Sequence, residues 1–128
     1  MSLEPQFFRD ETHKNAFYIL LNKCRRVNEE VVPVMYLLSL VAKKTEDDKY
    51  NISACCDGFD FDEMHIKPES LKHGWHTSST SAAFRLAFIL WNGYPSERSQ
   101  KFNNIYFIFG HGCDKYLCEA IRLRFVLE

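Results

Sequence analysis

Several things are missing from this sequence, and each absence excludes a class of protein. No stretch reaches the ~20 consecutive apolar residues that a bilayer-spanning helix needs. The opening residues, Met1-Ser2-Leu3-Glu4-Pro5, lack the apolar segment of a secretory signal; residues 1–5 are expected to be flexible and the protein to be cytoplasmic. Glycine and proline are scarce, five and four in 128 residues. Gly74, Gly93, Gly110 and Gly112 stand apart from one another and read as turns, so no glycine-rich phosphate loop is present. No Gly-x-Ser-x-Gly elbow occurs, and neither a Cys-x-x-Cys nor a His-x-x-x-His pair. The formal charge is −1, which argues against a broad phosphate-binding face and makes nucleic acid an unexpected partner. Repeats and low-complexity linkers are also absent.

The cysteines number five, an odd count, and are scattered (Cys24, Cys55, Cys56, Cys113, Cys118). That is not a disulfide framework, and it suits a reducing compartment. What the chain has in quantity is apolar and aromatic side chains: 46% hydrophobic residues, with eleven Phe and six Tyr. A domain of this length buries roughly two-thirds of its unfolded surface, so residues 1–128 are expected to form one domain with an aromatic core.

The organising stretch is Gly74-Trp75-His76-Thr77-Ser78-Ser79-Thr80-Ser81, followed by an apolar run to Gly93-Tyr94-Pro95. Five consecutive hydroxyl residues offer acceptors to the unpaired N–H groups of a first helical turn, with Thr77 or Ser78 as the N-cap. Gly93 and Pro95 supply the stop. Between them Ala82, Ala83, Leu86, Ile89 and Leu90 cover one side and Phe84, Phe88 and Trp91 another. A helix apolar over most of its circumference belongs inside the domain, so the spacing predicts a central buried helix over about Ser78–Asn92. Earlier in the chain, Asp10 caps a helix carrying Phe17, Leu20 and Leu21. Asn28 caps a second, apolar one running to Ala42, with Pro33 tolerated in its first turn. A short helix is expected from Thr45 or Glu46 to Ala54, a helical turn at Pro68, and a last helix from about Lys115 to Val126. Residues 102–109 have strand chemistry but no evident strand partner, and are assigned to helix. The resulting fold class is all-α: a single compact domain of about five or six helices.

Two stretches resemble a known family. Phe8-Arg9-Asp10-Glu11-x-His13 and the more distinctive Ile66-Lys67-Pro68-Glu69-Ser70-Leu71-x-x-Gly74-Trp75-His76-Thr77-Ser78 are similar to those of a family of short bacterial proteins of unknown function. Such proteins are found mainly in Firmicutes and their mobile elements. The resemblance continues through Arg85-Leu86-Ala87-Phe88 and Glu119-Ala120-Ile121-Arg122. Where the family usually has Gln after the Trp, this chain has His76. The resemblance implies a small helical domain and no activity.

The acids from Asp57 to Glu63 do not follow the alternating spacing of a calcium loop. His65, His73, His76, Cys55, Cys56, His111, Cys113 and Cys118 are ligand types without ligand spacing, so neither metal nor cofactor is expected. A serine nucleophile at Ser78 or Ser79 beside His76 is answered by helix capping, and no catalytic residue is assigned. Arg85 is the exceptional charge on the central helix, with Glu119 as its candidate partner. Two functional expectations remain. The first is a non-enzymatic cytoplasmic protein acting through a protein partner or as a homo-oligomer, with Trp75, Trp91, Tyr94, Phe102 and Tyr106 as a possible contact surface. The alternative is an anion or phosphate-ester binding protein, possibly enzymatic, using the helix start at Thr77, Ser78 and Ser79 with Arg85.

Overall fold

The computed structural model describes residues 4–44, 50–92 and 108–125. Among them the chain is mostly helical: α1 (Glu11–Lys23), α2 (Val31–Leu38), the short α3 (Ser53–Cys56), α4 (Ser78–Asn92) and α5 (Asp114–Phe125), with single 3-10 turns at Ser39–Val41 and Pro68–Lys72. Two minimal antiparallel pairs interrupt the helices. β1 (Lys43–Lys44) pairs with β2 (Tyr50–Asn51), and β3 (Phe59–Asp60) with β4 (His65–Ile66).

The predicted helix starts are local and are seen. Asp10 caps α1, its Oδ1 accepting the His13 N–H at 2.9 Å. Asn28 Oδ1 accepts from the N–H groups of Glu30 and Val31, both at 3.0 Å, at the entry to α2. Pro33 lies in the first turn of α2, where its missing N–H costs nothing. Thr77 and Thr80 close a reciprocal cap on α4. The Thr80 N–H donates to Thr77 Oγ1 at 3.3 Å and the Thr77 N–H to Thr80 Oγ1 at 2.8 Å.

Two expectations are corrected. The start of the helix predicted from Thr45 or Glu46 to Ala54 lies outside the described residues, but its second half is not one helix: residues 50 and 51 are strand, and α3 begins only at Ser53. The acidic stretch after Gly58 is a hairpin turn. Asp60 Oδ1 accepts the N–H groups of Asp62 and Glu63 at 3.0 Å, and Met64 takes a left-handed φ of 54°. The second helix does not run unbroken to Ala42; it tightens into the 3-10 turn at Ser39, whose buried hydroxyl donates back to the Tyr36 carbonyl at 2.9 Å.

All eight residues of α2 are buried. It packs against α4 and α5 and, on another side, α1. The predicted central helix, α4, has its expected bounds and buries Ala82, Ala83, Phe84, Leu86, Ala87, Phe88, Leu90 and Trp91. The centre is thus shared by two helices, and the aromatic rings cross between elements: Phe17 of α1 and Tyr36 of α2 meet at 6.1 Å, and Phe59 lies edge-on to Trp91 at 5.2 Å. Among the described residues no helix is long and apolar enough to cross a membrane.

Candidate ligand-binding cleft

A cleft of about 640 Å³ opens between the end of α2 and the start of α4. One wall is made by the 3-10 turn and β1, with Leu40, Val41, Ala42 and Lys43; α3 supplies Ser53 and Ala54. Asp57, Trp75, Thr77 and Thr80 also line the cleft, and Arg9 reaches in from the N-terminal segment. A smaller cavity of about 130 Å³ shares Arg9 and Thr80 with the cleft and adds Ser79, Cys113 and Tyr116.

Arg9 owes its place to the end of α2. The last carbonyls of a helix have no intrahelical donor and carry partial negative charge. The Arg9 guanidinium meets this end, Nη1 donating to the Leu40 carbonyl and Nη2 to that of Ala42 at 3.4 Å. Its Nε donates to Asp10 Oδ2 at 3.0 Å. The backbone is held as well, because the Arg9 N–H donates to Nδ1 of the buried His13 at 3.1 Å. His13 Nε2 therefore carries the ring proton and donates to the Tyr36 carbonyl at 2.9 Å. Burial pushes the His13 pKa down to about 4 against the Tyr36 bond, so the ring is neutral at pH 7.

The other wall is built on Trp75. Its indole Nε1 donates to Asp57 Oδ2 at 2.8 Å, and His73 Nδ1 lies 2.9 Å from that same oxygen. Partial burial raises the Asp57 carboxyl, but these two bonds and the charge of Lys67 outweigh it and leave the group below the usual carboxylate range. The Trp75 ring stacks on His76 at 3.8 Å with an interplanar angle of 27°, and the Phe84 edge abuts both. His76 Nδ1 sits 2.9 Å from Thr80 Oγ1, and burial lowers the pKa of the imidazole. The hydroxyl beside His76 is thus Thr80, one turn beyond the ring, rather than Ser78 or Ser79. Its oxygen is already engaged by the Thr77 N–H, which is the work of a cap.

The other expected site residues fall as follows. Thr77 lines the cleft, Ser78 is exposed at the first position of α4, and the Ser79 hydroxyl donates to the His111 carbonyl at 2.9 Å. Arg85 is half-buried further along the helix, its Nε donating to Ser81 Oγ at 3.2 Å, and it does not line the cleft. Glu119 is not its partner. That carboxylate is buried against Arg122, with bonds of 2.7 and 3.0 Å, and accepts the Gln6 N–H at 2.6 Å. Residues at i and i+3 of one helix meet without any tertiary adjustment, so the near arginine prevails. Trp91 is only 4% exposed and belongs to the core, which removes it from any contact surface. Trp75 is half-buried on the cleft wall. Tyr94, Phe102 and Tyr106 lie outside the described residues.

Among the described residues no three His, Cys, Asp or Glu side chains converge as metal ligands would. All five cysteines are free thiols, and burial pushes the pKa of Cys55 up to about 12 and raises that of Cys113.

Sequence reasoning missed Arg9 and Lys43 as site residues. The signal for Arg9 was present in Phe8-Arg9-Asp10-Glu11-x-His13, whose Asp10 caps the helix and whose His13 fixes the arginine backbone. The two stretches singled out in the sequence, residues 8–13 and 66–78, thus both contribute to one cleft, through Arg9 and through Trp75 and Thr77. No curated protein and no solved structure matches the chain. The family model that matches residues 3–128 is described as a family of unknown function (DUF6075), and the chain belongs to that family.

Proposed function

We propose that this protein is a binding module for a small anionic ligand of the carboxylate or phosphate-ester class. The observation that carries the reading is the convergence of Arg9 and Lys43 with the α4 entry at Thr77 and Thr80, in one cleft of about 640 Å³. That volume lies within the range of small-molecule sites, roughly 300–1,000 Å³. Two cationic side chains and the positive end of a helix favour an anion there. Leu40, Val41, Ala54 and Trp75 offer apolar surface to the rest of the ligand. Arg9 takes the role that the sequence gave to Arg85. No nucleophile is required, because the Thr80–His76 contact is accounted for by the cap. The cytoplasmic location is part of the same proposal, supported by the five free thiols.

The test is titration calorimetry with phenyl phosphate, an aromatic phosphate ester, with the solution assayed afterwards for released phenol. Binding without hydrolysis is expected. Charge reversal at the exposed Lys43 (Lys43→Glu) is expected to weaken binding about tenfold or more, as loss of a charge-assisted contact does, with Arg85→Gln near neutral. Absence of binding, or binding that responds to Arg85 and not to Lys43, overturns the reading.

Action through a protein partner or self-association is a second proposal, supported by one observation: Phe125, at the end of α5, is 59% exposed. Native mass spectrometry of the unmodified chain and of Phe125→Ser tests it. An oligomer lost in the variant supports it, and a monomer that captures no partner removes it.

A further inference from the structure

The cleft is not lined by positive charge alone. Asp57, at the end of α3, also lines it. Both of its protein hydrogen bonds, from Trp75 and with His73, fall on Oδ2. Its other oxygen, Oδ1, takes no hydrogen bond from a described residue. Arg9 does not pair with this carboxylate, since its own acidic partner is Asp10, while Asp57 pairs with His73. The indole bond holds the carboxylate in place on the wall, so the acceptor is oriented before any ligand arrives.

Resting on the anion-binding reading above, we propose that the ligand is amphoteric, of the amino-acid class. Its carboxylate or phosphate is held by Arg9 and Lys43, its ammonium group donates to Asp57 Oδ1, and its apolar part lies against Leu40, Val41 and Trp75. A purely anionic ligand would place its remaining surface beside an ionised carboxylate and gain nothing from it. A ligand with an ammonium group replaces that repulsion by a charge-assisted bond. Selectivity then comes as much from rejecting the acid without the amine as from binding the amphoteric molecule.

The experiment compares three probes of one shape on the full chain by titration calorimetry: phenylalanine, 3-phenylpropionate (no amine) and phenethylamine (no carboxylate). Phenylalanine is expected to bind about tenfold or more tightly than either truncated probe, the ratio that loss of one charged hydrogen bond gives. In Asp57→Asn, shown to be folded by its circular dichroism, phenylalanine is expected to fall to the level of 3-phenylpropionate. If 3-phenylpropionate binds the unmodified chain as tightly as phenylalanine, the amphoteric assignment fails and the anion site stands. If phenyl phosphate binds and phenylalanine does not, the assignment also fails. If phenyl phosphate, 3-phenylpropionate and phenylalanine all fail to bind, both fall together. The comparison among probes needs no variant, so a poorly folded Asp57→Asn leaves it decisive.

Discussion

The backbone N–H of Arg9 donates to the Nδ1 atom of His13 at 3.1 Å, so an uncharged, fully buried imidazole fixes the position of the arginine that enters the cleft. The ring can do this only while Nδ1 is unprotonated. A second proton would remove the acceptor, set a charge beside the Arg9 backbone, and bury that charge among Phe8, Phe17 and Tyr36.

Stability is therefore expected to depend on pH through His13. Its pKa is about 4 in the folded chain against 6.5 for the free side chain. Above 6.5 both states are neutral there and the full stability is present. As pH falls below 6.5 the unfolded chain takes up the proton first, and stability is lost down to about pH 4. The loss totals about 3 kcal/mol at 1.36 kcal/mol per pH unit. Urea unfolding at pH 7, 6, 5 and 4 measures it, and in a His13→Gln background this part of the slope should disappear.

Gly58→Ala is expected to destabilise by about 1–3 kcal/mol, the usual cost of overpacking. An added Cβ would stand 2.7 Å from Leu38 Cδ2 and 2.9 Å from Phe84 Cε2, at the contact of α2 with α4. Neither neighbour can swing away, since Leu38 and Phe84 are themselves fully buried. Thermal unfolding checks this, with Gly74→Ala as the control, because a Cβ at Gly74 meets nothing within 4 Å.

Thr77→Val keeps the shape of the side chain and removes the oxygen that accepts the Thr80 N–H at 3.3 Å. A loss of about 1 kcal/mol is expected, as for other N-caps, and Thr77→Ser should restore most of it. Equilibrium denaturation of the three proteins decides the matter. Because Thr77 also lines the cleft, the Ser variant is the one to carry into binding measurements.

Glu119→Ala should cost about 3–5 kcal/mol, the penalty for breaking a buried pair from one side. The Arg122 guanidinium would lose its buried partner, and the Gln6 N–H would lose its acceptor. Arg122 also donates to the Glu4 carbonyl at 3.1 Å. Hydrogen exchange in the N-terminal segment is therefore expected to accelerate along with the drop in melting temperature.

The helix starts were legible because a cap is a contest between neighbours in sequence: Asp10 with His13, Asn28 with Val31, Thr77 with Thr80. The bounds of α4 followed from the hydroxyl run at one end and the apolar spacing behind it. The short strand pairs were not legible, since two residues carry no period, and pairing Phe59 with Ile66 needs the Asp60 turn to bring them together. A pairing of Glu119 with Arg85 would have to form across the fold, whereas Arg122, three places along α5, meets the carboxylate within one helix.

By itself the sequence determined the helical class, the caps, the apolar faces, and the two stretches at residues 8–13 and 66–78 that resemble a family. Each of these is set by interactions within about four residues or by the period of the chain. Only the tertiary structure decided that the two stretches contribute to one cleft, that Arg9 and not Arg85 lines it, and that Asp57 lines it too. Those relations join residues far apart in the chain, such as Arg9 and Trp75, and side chains so separated meet only where the packing of α2 against α4 and α5 brings them.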